Sequence, residues 1–156
     1  MMENKPKAWR KRAIVWLILP IVYLWARRHE AAILRGGVPL DAQGLADARR
    51  AGVRDAERVR ILVVDGVPPR LRFGLRALAA RWQWGPSTTA GMSLGYGIFL
   101  RADQQHRPEL LRHELVHTAQ YERLGYRPFL RAYLSECLTA GYPLGALETE
   151  ARDLSA

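Results

Sequence analysis

Cysteine is nearly absent from the sequence, and acidic residues are scarce. Cys137 stands alone among 156 residues, which excludes an intrachain disulfide and a zinc site built from several cysteines. Asp and Glu number 15 against 24 Lys and Arg, for a net charge of +9. The chain has no internal repeat, and its hydrophobic share of 49% is ordinary. These features predict a globular fold with a modest core.

A long hydrophobic run is also lacking. The longest uncharged apolar run, residues 13–26, has 14 residues, whereas a membrane-crossing helix usually needs about 20. Residues 1–35 contain eight Lys or Arg and two Glu, so six of the nine excess positive charges lie there. Three interpretations stay open: a short membrane anchor extended by snorkelling Arg12 and Arg27, an interfacial helix, and a helix docked on its own domain. The first two predict membrane lipid as a partner. The small basic excess elsewhere gives no reason to expect nucleic acid.

Glycine and proline divide the rest of the chain. The tetrapeptide GGVP at 36–39 predicts a linker, so we place a boundary between a hydrophobic N-terminal segment, 1–36, and a domain, 37–156. The patterns predict helices over 42–51 (capped by Asp41), 75–84, 108–124, 129–139 and 144–154. They also predict a buried strand over 59–64 and one strand over 91–100, which three glycines weaken. The expected fold class is α+β, mostly helical with a small sheet.

The stretch LLRHELVHTAQYERLG, residues 110–125, has the spacing of a metal site. His113 and His117 are four residues apart, so on a helix they lie on one face and can bind one ion. Glu114 lies about 100° further round the helix, where it can reach a metal-bound water as a general base. A catalytic zinc needs a third protein ligand, and Glu148 and Glu150 on the last predicted helix are candidates.

HELVHTAQ followed about 30 residues later by LETEA resembles the gluzincin type of zincin metallopeptidase. The likeness is strongest to small bacterial proteins with an H-E-L-x-H-x-x-Q helix and an E-x-E-A helix, and it covers roughly residues 91–153. The resemblance implies a zincin-like domain that binds Zn²⁺ through His113, His117 and Glu148, with Glu114 as the catalytic base. It also implies a peptide or protein substrate, bound along an edge strand that GMSLGYGIFL (91–100) resembles.

Two features depart from related patterns. An Asp that holds a zinc histidine often follows E-x-x-A, but Arg152 stands at that place and Asp153 one further on. The metzincin motif H-E-x-x-H-x-x-G-x-x-H is not matched, because Gln120 and Arg123 stand where it requires Gly and His. Tyr142 and Tyr96 are candidates for an auxiliary donor to the oxyanion, and packing is the alternative for both.

The predicted function is a membrane-associated zinc metallopeptidase at the bacterial inner membrane. Basic residues on both sides of the apolar run give no orientation for the catalytic domain. One alternative is a non-enzymatic, membrane-anchored interaction protein with a structural zinc site, which would not need the base Glu114. A second alternative is an electrostatically attached binder of nucleic acid or phospholipid.

Overall fold

The computed structural model describes residues 5–68, 89–141 and 144–156, with side chains from residue 9 onward. Five α-helices and four strands lie in these ranges, and a short 3₁₀ helix, Ala56–Arg58, precedes the second strand. In chain order they are α1 (Lys5–Gly36), β1 (Val38–Pro39), α2 (Ala42–Arg50), β2 (Arg60–Val64), β3 (Gly91–Leu94), β4 (Gly97–Arg101), α3 (Pro108–Leu124), α4 (Tyr126–Thr139) and α5 (Ala146–Ser155). The expected α+β class is confirmed.

The four strands form one mixed sheet in the order β1-β2-β4-β3. β2 and β4 are parallel, with Leu62 opposite Phe99. β3 pairs antiparallel with β4, with Ser93 opposite Ile98, and β1 pairs antiparallel with β2. Among the described strands, β3 therefore lies at one end of the sheet.

The prediction of one strand over 91–100 was wrong. The segment is a hairpin of β3 and β4, joined by a two-residue turn at Gly95 and Tyr96. Gly95 has φ +62°, which suits a tight hairpin turn and which other residues rarely adopt. The apolar alternation continues through the turn, from Leu94 to Tyr96, and so hides the break.

Most of the other predicted elements are present with small shifts. The Asp41 carboxylate caps α2 by accepting the Gly44 N–H at 2.7 Å. The 59–64 strand exists as β2 but is only partly buried, and Val63 is 39% exposed. α4 begins at Tyr126 rather than at 129, because Pro128 fits the first turn, where an N–H has no helical partner. The predicted helix over 75–84 lies outside the described residues.

α1 is much longer than the apolar run that predicted it, with 32 residues. Val15, Leu19, Ala26 and Ile33 on one face are buried in the main hydrophobic cluster. A methyl group at Gly97 of β4 would lie 2.9 Å from the Ile33 side chain, so this glycine permits close packing of α1 on the sheet. Among the described residues, no helix has both the length and the apolar character to cross a bilayer.

Two hydrophobic clusters hold α3 against the sheet. Phe99 of β4 faces the cluster formed with α1 and α4, whereas its neighbours Ile98 and Leu100 pack with α2 and with Leu115 of α3. The alternation of side chains along β4 thus serves both clusters. α3, which carries His113 and His117, is thereby fixed relative to the strands and to α4 and α5.

Candidate metal centre

α3 brings the two histidines of the motif onto one face. Pro108 occupies the first helical turn, and Gly125, with φ +87°, ends the helix. One helical turn separates His113 from His117, and their Nε2 atoms are 3.1 Å apart. Both imidazoles therefore present nitrogen to the same point.

Glu148 on α5 completes the group. Its Oε2 lies 3.3 Å from His113 Nε2, and its Oε1 lies 3.5 Å from His117 Nε2. Donor atoms bound to a tetrahedral zinc at ordinary bond lengths are about 3.4 Å apart. The three residues that the sequence and the resemblance suggested as ligands are thus brought together in a group that could hold one metal ion.

α4 and α3 set the position of α5. The Glu136 carboxylate of α4 accepts the Leu147 N–H at 3.0 Å, and the Gln120 amide of α3 donates to the Leu147 carbonyl at 2.9 Å. These bonds lie one residue before Glu148, so they fix the backbone that carries it. Glu150, the other candidate ligand, instead forms a two-bond ion pair with Arg123, with both N–O distances 2.8 Å.

Gln120 holds His117 in one tautomer. The Gln120 Nε2 donates to the Leu147 carbonyl and to Glu150 Oε2, which are both acceptors. The amide oxygen must then face His117 Nδ1, 2.8 Å away, and accept a hydrogen bond from its N–H. In the neutral ring the lone pair is then on Nε2, the atom that faces Glu148 and His113 and that a metal would bind. Gln120 occupies the orienting role that the sequence left without a residue.

Tyr133 of α4 orients Glu148. Its hydroxyl donates to Glu148 Oε1 at 2.7 Å, and its ring centroid lies 6.1 Å from that of His117. Sequence reasoning missed Tyr133, since nothing in the pattern of α4 links it to a residue 15 positions later. Gln120 was visible in the sequence as the fourth position of H-x-x-Q, three residues after His117.

Glu114 is buried beside the two histidines, against β3. The Ser93 hydroxyl lies 2.7 Å from Glu114 Oε2 and 2.6 Å from its backbone oxygen, so its one proton serves either acceptor. A methyl group at Gly91 would lie 2.7 Å from Glu114 Oε1. Burial raises the pKa of Glu114, and His117, His113 and Ser93 only partly oppose that effect. A carboxyl group with a raised pKa holds a proton more tightly than an ordinary glutamate does, which suits a general base.

Contacts with its neighbours keep Glu148 in its charged form. Burial alone would raise the pKa of Glu148, but bonds with His113, His117 and Tyr133 outweigh burial and hold this pKa well below its ordinary value. Burial opposes a charged His117, yet Glu148 and Glu114 raise its pKa. A charged Glu148 carboxylate therefore faces both imidazoles.

Access to the centre is from the side of His113. Its side chain is 20% exposed, whereas those of His117 and Glu148 are 7% and 6% exposed. Among the described residues, no fourth His, Cys, Asp or Glu joins the group. The undescribed positions include only one residue of these types, Glu3. Three protein ligands with one partly exposed side are typical of catalytic zinc sites, and four of structural ones.

The other residues considered from the sequence lie elsewhere. The Tyr96 hydroxyl donates to Glu122 at 2.8 Å, and the Arg58 guanidinium stacks 4.0 Å from its ring centroid, which favours packing over an oxyanion role. Tyr142 lies outside the described residues. His106 is exposed. Comparisons with protein-family models, with curated proteins and with solved structures each gave no match.

Proposed function

We propose that the protein is a zinc-dependent peptidase whose metal is held by His113, His117 and Glu148. The observation that carries the proposal is the convergence of the two histidine Nε2 atoms, 3.1 Å apart, on the Glu148 carboxylate, whose two oxygens lie 3.3 and 3.5 Å from them, beside a buried glutamate. Two imidazoles and one carboxylate are a ligand set that catalytic zinc uses. A bound Zn²⁺ would supply a Lewis acid that acidifies water and polarises a carbonyl group.

In this proposal Glu114 moves the protons. Its carboxylate takes a proton from the attacking water and then donates it to the nitrogen of the leaving amine, so a peptide bond and a water become a carboxylic acid and an amine. Ser93 orients the carboxylate through its hydrogen bond. Gln120 and Tyr133 keep His117 and Glu148 directed inward.

The position of β3 supports a peptide as substrate. β3 is the end strand among those described, and Ser93 on this strand contacts the proposed base. An extended peptide that adds to a sheet edge gains backbone hydrogen bonds in a general mode of recognition. A peptide lying along β3 would therefore bring a carbonyl group toward Glu114.

A structural zinc site is the weaker proposal. Structural sites usually have four protein ligands, whereas three residues converge in the described part of the chain. A purely structural site would also gain nothing from burying the carboxylate of Glu114 beside the histidines, because burial of a charge is costly.

Substitution of Glu114 by Gln separates binding from catalysis. The amide is nearly the same size but cannot take a proton, so we expect bound zinc to remain and peptide hydrolysis to fall by about 10²- to 10⁴-fold. Glu109→Gln, an exposed carboxylate in the first turn of the same helix, is the matched control and should keep wild-type activity. Hydrolysis of a fluorogenic peptide mixture at the wild-type rate by zinc-loaded Glu114→Gln would overturn the proposed mechanism.

A further inference from the structure

The solvent-facing side of α1 is apolar over about three turns. Ile14, Leu17, Ile21 and Leu24 are 40% to 80% exposed, and their spacing of three and four residues places them along one side of the helix. Trp16, 61% exposed, widens this side. We call these five residues the apolar face. Soluble surfaces rarely expose so many large side chains together without a ligand or partner.

The opposite side of α1 is already occupied. Val15, Ala26 and Ile33 are at most 2% exposed and belong to the main hydrophobic cluster. α1 therefore offers only one side to any further surface. A helix held in this way can lie along a membrane surface, with one side in the interface and the other on its own protein.

Basic residues border the apolar face. Arg10 and Arg28 are exposed beyond its two ends, and on an ideal helix they project in nearly the same direction as Ile14 and Leu17. The one described carboxylate on α1, Glu30, is 4% exposed and paired with Arg27. Among the described residues of α1, the exposed charges at the two ends of the face are therefore positive, which complements an anionic surface.

A cleft between α1 and α4 adds a second basic feature. It has a volume of about 320 Å³ and is lined by Arg12, Val15, Trp16, Arg131, Ala132 and Ser135. The Arg131 guanidinium carbon lies 5.8 Å from the Trp16 ring centroid. No carboxylate lines this cleft, and no salt bridge to Arg12 or Arg131 occurs among the described side chains. Two guanidinium groups beside an indole suit a phosphate attached to an apolar tail.

We propose that the apolar face and this cleft bind the surface of an anionic phospholipid bilayer, with a lipid phosphate between Arg12 and Arg131. Leu17, Ile21 and Leu24 enter the boundary between headgroups and acyl chains, and Arg10 and Arg28 contact headgroups at the two ends. α1 lies parallel to the membrane plane. This inference rests on α1 and α4 alone and is independent of the metal centre.

A second copy of the chain is the less favoured occupant of the apolar face. Symmetric pairing of two such faces would bring the arginine borders of both copies together, and like charges at an interface oppose association. An anionic bilayer instead pairs the apolar face with acyl chains and the arginines with phosphates.

Vesicle flotation of the full chain tests the inference. We expect binding to vesicles of phosphatidylcholine mixed with phosphatidylglycerol, much weaker binding to phosphatidylcholine alone, and partial release by salt, which screens the arginines. Sedimentation velocity of the same protein without lipid should give a monomer.

Two double variants separate the parts of the proposed surface. Leu17→Glu with Ile21→Glu should abolish flotation while leaving the circular dichroism spectrum unchanged, because both residues are exposed. Arg12→Gln with Arg131→Gln should weaken binding to the anionic vesicles by about 30-fold, since each basic residue near such a surface contributes roughly fivefold. Leu154→Glu and Arg107→Gln, exposed residues on other helices or their ends, are the matched controls.

Three results would overturn the inference. In flotation, the wild-type protein could bind neither kind of vesicle, or the double variants could bind as well as wild type. In sedimentation, the wild type could be a dimer that Leu17→Glu with Ile21→Glu converts to a monomer. The last result would assign the apolar face to a second copy.

Discussion

The amide oxygen of Gln120 lies 2.8 Å from Nδ1 of His117, and the amide nitrogen of the same side chain is held by two acceptors. This arrangement fixes both the rotamer of Gln120 and the tautomer of His117. The second of those acceptors, Glu150, is itself held by Arg123. A chain of hydrogen bonds thus runs from the surface to the imidazole ring whose other nitrogen, Nε2, would bind the metal.

Gln120→Met should weaken zinc binding without removing a ligand. Methionine fills a similar volume but cannot replace the amide oxygen as acceptor of the hydrogen bond from His117 Nδ1–H, so the ring loses its fixed orientation. Loss of such a partner typically lowers metal affinity by about 10- to 100-fold, measurable by competition with a chromophoric chelator. Gln105→Met, at an exposed glutamine before α3, should bind zinc as wild type does. Unchanged affinity in Gln120→Met would show that the amide has no role in the site.

Tyr133→Phe should also weaken zinc binding, by up to about tenfold, because Glu148 loses the hydroxyl donor on Oε1. Tyr126→Phe is the matched control, for which we expect a change in stability but none in zinc affinity. The buried Tyr126 hydroxyl has no hydrogen-bond partner in the described part of the chain, so its removal should leave zinc affinity unchanged and raise the free energy of unfolding by about 1 kcal/mol. Equal affinities for Tyr133→Phe and Tyr126→Phe would contradict the orienting role of Tyr133.

Gly91→Ala should reduce hydrolysis more than metal binding. The added methyl group would lie 2.7 Å from Glu114 Oε1, so the carboxylate must move, and a displacement of about 1 Å at a catalytic group costs about 100-fold in rate. Gly36→Ala meets no atom within 4 Å and serves as the control in peptide-hydrolysis assays. Gly91→Ala with full activity would place the working position of Glu114 elsewhere.

Glu122→Gln should destabilise the protein at neutral pH and lose this effect in acid. The Glu122 carboxylate accepts the N–H groups of Arg54 and Asp55 and the Tyr96 hydroxyl. Burial opposes its charge, but these bonds lower the pKa of Glu122. A lowered pKa in the folded state gives stability that is present above the unfolded pKa, about 4.3, and is lost as the pH falls through the folded value.

Urea unfolding of Glu122→Gln across that pH range measures the effect. We expect a loss of about 1 to 3 kcal/mol near pH 7, which shrinks as the pH falls below about 4. The control is Glu57→Gln, because Glu57 is an exposed carboxylate paired with Arg49, and it should change stability little at any pH. A loss in Glu122→Gln that is constant with pH would mean that the charge of Glu122 does not stabilise the fold.

The sequence predicted the centre of the site better than its surroundings. His113 and His117 could be placed because helical spacing alone sets which side chains share a face. Tyr133 and Ser93 could not, since their contacts with Glu148 and Glu114 join separate elements. Such contacts depend on how helices and strands pack, which one local pattern does not encode.

In the fold, too, local features were predicted well and features that depend on packing were not. Proline and glycine gave the limits of α3 closely, whereas the apolar run 13–26 gave neither the length of α1 nor its packing partners. The break at Gly95 was hidden because Leu94 and Tyr96 continue the alternation on both sides of it.

Metal content tests the central claim most directly. Elemental mass spectrometry of protein purified without a histidine tag should give about one zinc per wild-type chain, and no zinc for His113→Ala or Glu148→Ala. His106→Ala, which removes an exposed histidine, should keep its zinc. An absence of metal in the wild type after zinc supplementation, or an equal content in Glu148→Ala, would contradict the proposed three-ligand centre.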